Sequence, residues 1–449
     1  MTNRSSFLEK NMRFEGECVD MHHSGLGVVK YNNAVVLVKD LLIGEHALIH
    51  VLKVEKKLAY GKVEKLIRQS PYRIPSICLV SSACGGCPLI TLNDEGQAMM
   101  KENIVKDQLR YHGLDYVNVL PMVKSPQRYH TRNKVAVPVQ HDPFKMGFYR
   151  LNSHDIVEFD VCHVQTHTQN HVLDLIRHYP RKDELKSVKH VVLKENHNQT
   201  QMIVGFVVYE SSLLKMSALI DDLFSLPYVV GIVAHINTSE GNAIFKGSDE
   251  ILRGNNMIVD ELHDLKFKLS LQSFYQINPH QTLRLYEIAL DYAKCSKNDV
   301  CVDLYCGVGS ISLLAASRVK HVVGVEINPI AIENAKENQR LNQIENASFH
   351  VGDASEVTKI LDELKLEADV LIVDPPRSGL SASVIQQIKD LNIPKVVYVS
   401  CNPMTLCANL KELETHYSFH EITPVDMFPN TRHVESIILM TYCGFKGEK

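Results

Sequence analysis

Hydrophobic and polar positions divide the chain into three textures. From Met12 to about Ile67, short β-type runs alternate with glycine punctuation: Gly25-Leu-Gly27, Asn33-Ala-Val-Val-Leu-Val38, His46-Ala-Leu-Ile-His-Val-Leu-Lys-Val54 and Ala59-Tyr-Gly-Lys-Val63. Short strands at that spacing predict a small β-barrel. Two prolines in Gln69-Ser-Pro-Tyr-Arg-Ile-Pro75 break regular structure and mark a linker. A helix is expected from about Asp94 to His112. Residues 125–270 then carry β-type runs, among them Lys134-Val-Ala-Val-Pro-Val139, Gln201-Met-Ile-Val-Gly-Phe-Val-Val-Tyr209 and Val229-Val-Gly-Ile-Val-Ala-His-Ile236, which suggest an α+β unit. Asn278-Pro279 reads as an N-cap with proline at the first helical position, opening a helix that runs to about Lys294.

From Asp299 onward strands alternate with helices. Strands are expected at 300–306, 321–327, 347–353, 369–375, 395–401, 419–426 and 434–442, which is the pattern of an α/β doubly wound sheet. Three domains follow: a barrel over 1–69, a central α+β domain over 70–270 and a doubly wound domain over 271–449.

Composition sharpens this only locally. The formal charge of −4 gives no global sign of nucleic acid, but Lys and Arg outnumber Asp and Glu within residues 1–75 and again within 101–150. A phosphate-binding face or an ordinary solvated surface would both produce that excess. No apolar run reaches the length of a membrane span and the start lacks a signal-peptide core, so a cytoplasmic chain is expected, with no membrane partner. Eleven cysteines in 449 residues do not form a disulfide framework and suit packing or coordination.

Candidate chemistry collects at strand ends. Asp303 precedes Leu-Tyr-Cys-Gly307-Val-Gly309-Ser310, Glu326 follows Val-Val-Gly-Val, Asp353 follows His-Val-Gly, and Asp374 follows Val-Leu-Ile-Val. Strands of a parallel sheet point one way, so these carboxylates share one edge, where ligands bind in such folds. The glycine turn is shared with nicotinamide-binding proteins, but Ser312 stands where their third glycine would. Asp-x-x-x-Gly-x-Gly with an acid closing the next strand is similar to the S-adenosylmethionine pocket of class I methyltransferases.

At the same edge Lys395-Val-Val-Tyr-Val-Ser-Cys401-Asn-Pro403 ends an apolar strand on a cysteine. A buried packing thiol is the commoner fate of such a residue. Beside Asp374-Pro-Pro-Arg377, however, a thiol has a use: carbon 5 of a pyrimidine is nearly inert until a thiolate adds to carbon 6 and pushes electron density onto it. The addition creates an oxyanion that needs a donor. A base must then take the proton from carbon 5, and Glu435 in Phe428-Pro-Asn-Thr-Arg-His-Val-Glu435 is the candidate.

Gln276 in Ser-Phe-Tyr-Gln-Ile-Asn278, the Asp303–Gly309 turn, Asp374-Pro-Pro-Arg377, Ser-Cys401-Asn-Pro and His433-Val-Glu435, in that order, resemble the RNA uracil-5-methyltransferase family, and the barrel resembles its appended TRAM domain. The resemblance implies a class I S-adenosylmethionine-dependent enzyme that makes 5-methyluridine through a covalent cysteine–uracil adduct. It implies Cys401 as nucleophile, Glu435 as base, and Gln276, Tyr305, Ser310, Glu326, Asp353 and Asp374 as contacts to the methyl donor. Arg132, Lys134 and Arg377 become candidates for gripping RNA, with the run Arg128–Lys134 and Arg150 on the same face.

Cys78-x5-Cys84-x2-Cys87 and Cys162 make a four-thiolate set. Spacing leaves zinc and an iron–sulfur cluster open; the resemblance favours a [4Fe-4S] cluster. The expected partner is RNA, with 23S ribosomal RNA ahead of transfer RNA because of the cysteines and the barrel, and the expected state is a monomer. A non-catalytic RNA-binding protein that keeps the fold is the reading from a different class.

Overall fold

The computed structural model describes residues 8–445 except 33, 57, 152, 211–215, 240 and 242. Three sheets stack along it.

The first is a closed barrel of Arg13–Met21, Gly27–Tyr31, Ala34–Lys39, Ala59–Arg68 and His46–Val54, in that spatial order. Inward residues alternate as a half-buried strand requires: Ala47, Ile49 and Val51 are fully buried while His46, Leu48 and His50 are not. The linker is clamped to the barrel by Arg73, whose guanidinium donates to both oxygens of the buried Glu45 at 2.5 and 2.7 Å.

A seven-stranded sheet follows, ordered Ser248–Gly254, Val229–Ile236, Met202–Val208, Val188–Glu195, Lys134–Gln140, Lys145–Tyr149 and Ile156–Glu158. Every residue of Met202–Val208 is buried, because both faces of this strand are covered. Helices His167–His178 and Ser217–Phe224 cover one face through Val172, Leu173, Ile176, Leu219 and Leu223. The hairpin Met257–Leu262 and Leu265–Ser270 covers the other, and its core continues into the third layer.

That third layer is the doubly wound sheet. Its strands run Ala347–Val351, His321–Glu326, Val300–Leu304, Val370–Val373, Lys395–Ser400, Glu435–Tyr442 and Glu421–Val425 across the molecule. The first five are mutually parallel, as their unbroken apolar runs foretell. Glu435–Tyr442 is antiparallel to Lys395–Ser400, with Ser400 opposite Ser436. Its first residue therefore lies at the edge where the parallel strands have their last.

Helix Asp94–Tyr111 starts where expected, with Asn93 as the capping residue that accepts from the Gly96 N–H at 2.8 Å. It does not pack in the central layer. Ala98, Val105 and Leu109 join the core of the doubly wound sheet, and Asn118–Val119 adds a short parallel strand beside Glu421–Val425. Helix Pro279–Ala293 is capped by Asn278 and closes on Lys294 in the left-handed region. Among the described residues no helix is long and apolar enough to cross a membrane.

Candidate active site

A cavity of about 880 Å³ opens at the carboxyl edge of the doubly wound sheet. Gln276, Tyr305, Glu326, Asp353, Asp374, Arg377, Cys401 and Glu435 all line it, together with Arg132 from the central layer. Residues drawn from eight separate stretches of sequence thus converge on one volume.

Local sequence explains each placement. After Leu304, Tyr305 turns into the left-handed region with φ of 66°, where a non-glycine residue is strained. Gly309 follows at φ of 82° as the N-cap of helix Ser310–Ala316, and a Cβ there would stand 2.9 Å from the Phe349 ring. The chain therefore turns sharply and leaves open space against the backbone at Gly307. Glu326 is held by the Asn328 N–H at 2.9 Å, and Asp353 by the N–H and hydroxyl of Ser355 at 2.9 and 2.6 Å. Those Ser355 bonds hold the Asp353 carboxyl below the usual carboxylate range, so it stays an anion.

Cys401 sits at a seam. The buried strand ends at Ser400, and Asn402 immediately caps helix Pro403–Leu413 by accepting from the Met404 N–H at 3.2 Å. The thiol thus lies beside the positive end of an eleven-residue helix. Burial nevertheless pushes the thiol up to about 11, aided by the carboxylates of Glu435 and Asp374 and opposed by Arg377. Cys401 follows Ser400 and Glu435 precedes Ser436, the last pair of two antiparallel strands, and both residues line the cavity.

Three of the acids lie in or beneath the cavity floor. Glu435 is 2% exposed, and its Oε2 has no hydrogen-bond partner. Burial first, then the charge of Asp374, raise it well above the usual carboxylate range. Asp374 is raised to about 7 by burial and by Asp303 behind it. Asp303 does not reach the cavity; it accepts from Ser312 at 2.5 Å and is likewise raised to about 7 by burial. Five carboxylates in and under one cleft make a strongly cation-seeking volume. S-adenosylmethionine is a cation at its sulfonium, and the residues present fit it.

Arg377 lines the mouth, exposed, with its guanidinium 2.5 Å from Nδ1 of His433. Burial, and then Arg377, drive His433 down to about 4, so its ring is neutral. The backbone oxygen of Arg377 accepts from Asn402 at 2.9 Å and Thr405 at 3.2 Å, which locks the Asp374–Arg377 turn to the cysteine turn.

Several expected residues lie elsewhere. The Ser310 hydroxyl turns away from the cavity to the buried Tyr286 hydroxyl at 3.2 Å. Lys134 places its ammonium 4.7 Å from the centre of the Phe245 ring, and burial lowers it to about 8, so it does not belong to an open basic face. Arg128 is also internal: it donates to the carbonyls of Ile90 and Leu92 at 2.7 and 2.5 Å. Arg150 faces the cysteines instead of the reaction cavity. Phe274, Asn328 and Phe428 line the cavity without having been singled out from the sequence.

Cys78, Cys84, Cys87 and Cys162 line a second cavity of about 560 Å³, bounded also by Arg132 and Arg150. Each of the latter three thiols is raised by burial, and their mutual charges add to the shift for Cys87. Among the described residues no group of three or more His, Cys, Asp or Glu side chains is gathered closely enough to hold a metal ion. Four thiolates on one ion would lie within about 4 Å of one another. The four cysteines therefore share a room without forming a single-ion site.

Comparisons with known proteins agree with this geometry. The profile of the tRNA (Uracil-5-)-methyltransferase family matches residues 216–442, just over half of the chain. An "Uncharacterized RNA methyltransferase" of Bacillus cereus is 38% identical over 448 residues, covering 97% of both chains. Another so named, from Staphylococcus aureus, is 35% identical over 446 residues, covering 96% of this chain and 98% of its own. Among solved structures, the Pyrococcus abyssi tRNA (uracil-54, C5)-methyltransferase in complex with S-adenosyl-L-homocysteine superposes with a TM-score of 0.75 at 27% identity, covering 95% of this chain and 99% of that one. The doubly wound sheet is thus a class I methyltransferase domain, and the chain belongs to the RNA uracil-5-methyltransferase family.

Proposed function

We propose that this enzyme methylates carbon 5 of a uridine in 23S ribosomal RNA through a covalent cysteine–uracil adduct. The observation that carries the reading is that Cys401 and Glu435, each next to the Ser400–Ser436 pair of two antiparallel strands, line one cavity whose other walls suit a cationic methyl donor. The bound donor, S-adenosylmethionine, supplies an electrophilic methyl group. Cys401, ionised, forms a bond to carbon 6 of the uracil, and the electron pair of the 5,6 double bond moves toward carbon 5 and the oxygen at position 4. Arg377, at the mouth, is placed to donate to that oxygen. Carbon 5 takes the methyl group, and the electron pair of the broken carbon–sulfur bond stays on the donor's sulfur, which leaves as a neutral thioether. Glu435 then accepts the proton from carbon 5, the double bond re-forms, and Cys401 leaves as thiolate.

Glu435 is almost wholly buried, and a substrate base filling the cavity would shut it off from bulk water during proton transfer. A uracil inside a duplex could not approach this edge, so the base must come from a loop or single strand and be turned out. Arg132 and Arg377 are the cations best placed to receive the flanking backbone.

The barrel resembles a TRAM domain, and together with the cysteines it favours ribosomal RNA. For the cysteines we propose a [4Fe-4S] cluster held by Cys78, Cys84, Cys87 and Cys162. That the four cysteines line one cavity supports their holding one group together. The similarity to a transfer-RNA enzyme favours a second reading, in which the substrate is transfer RNA. The test incubates the protein with S-adenosylmethionine and transcripts of both RNAs, followed by nucleoside mass spectrometry. 5-Methyluridine in the ribosomal transcript alone is the expected result. Its appearance only in transfer RNA would replace the substrate, and its absence from both would overturn the reaction.

A further inference from the structure

Glu435 has no side-chain anchor at Oε2, so its aim depends on the backbone that delivers it. That backbone is the loop joining Glu421–Val425 to Glu435–Tyr442, which also carries the cavity-lining Phe428 and His433. At its tip Asn430 is fully buried in the left-handed region, φ 65°, a conformation that asparagine tolerates better than most residues.

Five hydrogen bonds converge on Asn430. Its N–H donates to Gln97 Oε1 at 2.8 Å, and its Oδ1 accepts from Gln97 Nε2 at 3.3 Å and from Arg128 Nε at 2.8 Å. Its Nδ2 donates to the Arg128 carbonyl at 2.9 Å, and its own carbonyl accepts from the Leu89 N–H at 3.0 Å. One helical turn past Gln97, the fully buried Lys101 donates to Asp426 at 2.5 Å and to the Phe428 carbonyl at 3.0 Å. Helix Asp94–Tyr111 therefore grips the loop at both its start and its tip, from the side opposite the cavity.

We propose that Asn430, with Gln97 and Arg128, forms a positioning lock that sets the aim of Glu435 and governs the elimination step specifically. The proposal rests on the reading of Glu435 as the base. Cys401 is carried by a different strand and helix, so addition feels the loop only through the His433 contact to Arg377. Proton removal from carbon 5, the last step before the thiolate leaves, depends on Glu435 directly and loses its geometry first. Displacing a catalytic group by about 1 Å costs up to about 100-fold in rate.

The test uses the full-length protein, S-adenosylmethionine and labelled transcripts of large-subunit ribosomal RNA and transfer RNA. Asn430→Gly keeps the left-handed backbone while removing the side chain. Gln97→Met cuts the lock from the helix at similar volume, and stands in should the first variant fail to fold. Glu435→Gln serves as the reference. Expected for both lock variants is a turnover lowered about 10- to 100-fold, a protein–RNA adduct stable to denaturing gels accumulating several-fold over wild type, and S-adenosylmethionine affinity within about twofold. A merely structural role would lower turnover without trapping RNA. Adduct from Glu435→Gln but from neither lock variant overturns the proposal alone; no adduct from Glu435→Gln overturns the reading of the base, and the proposal with it.

Discussion

The Cys401 thiol is the group most out of tune with its task, and its ionisation can be followed directly. Burial and the carboxylates of Glu435 and Asp374 put it at about 11, so at pH 7.5 on the order of one thiol in several thousand is ionised. Below that value each pH unit raises the thiolate tenfold. Alkylation of Cys401 by iodoacetamide, read by peptide mass spectrometry with the exposed Cys443 peptide as an internal reference, should therefore climb through pH 9.5 with no plateau. A unit positive charge within about 6 Å at an effective dielectric near 20 is worth about 2–3 kcal/mol, on the order of two pH units. Saturating sinefungin, whose ammonium replaces the sulfonium without a transferable methyl, should shift the profile toward lower pH, and neutral S-adenosylhomocysteine should shift it less. Removing one carboxylate with Glu435→Gln should shift it the same way without any ligand. A plateau below pH 8 in the free protein, or equal shifts with the charged and neutral ligands, would refute the electrostatic argument.

Other consequences can be checked more briefly. Cys401→Ala should abolish 5-methyluridine formation while leaving S-adenosylmethionine binding within about twofold of wild type by calorimetry, since Cys401 supplies the bond to carbon 6 and not the donor site. Lys101→Met strands the buried Asp426 carboxylate, and should cost about 3–5 kcal/mol in urea unfolding, partly recovered on adding Asp426→Asn. Gly309→Ala places a Cβ against the Phe349 ring at an unfavourable φ, and should weaken donor binding and lower stability by about 1–2 kcal/mol. Protein purified without oxygen should carry iron and sulfide, lost in Cys87→Ser; stoichiometric zinc instead would refute the cluster.

Elements that announce themselves locally were legible in the sequence. The strand ending at Ser400, the Asn-Pro starts of helices at 278 and 402, and the acids closing strands at 326 and 374 each follow from a run of apolar residues meeting a breaker. The convergence of Gln276, Tyr305, Glu326, Asp353, Asp374, Cys401 and Glu435 follows from parallel strand direction plus one motif order. What stayed hidden is long-range and polar. Nothing near Gln97 signals that it meets Asn430, 333 positions away. Lys134 and Arg128 read as free cations because sequence cannot show the Phe245 ring or the carbonyls of Ile90 and Leu92 that occupy them. The allegiance of helix Asp94–Tyr111 is equally silent, since an apolar face records that it is covered but not by which layer.

The reversed direction of the final strand makes the chemistry a matter of count. Glu435–Tyr442 is an interior strand, flanked on both sides, with Ser436 fixed opposite Ser400 on one neighbour and opposite Pro424 on the other. Side chains along it point alternately to the two faces. Deleting or inserting one residue between Glu435 and the anchoring run Ile437–Met440 would keep the strand apolar and foldable, yet deliver the acid to the wrong side of the sheet. Past Glu435 itself, length in this segment is thus more constrained than residue identity, and homologous enzymes should tolerate substitution there far more readily than any change of spacing.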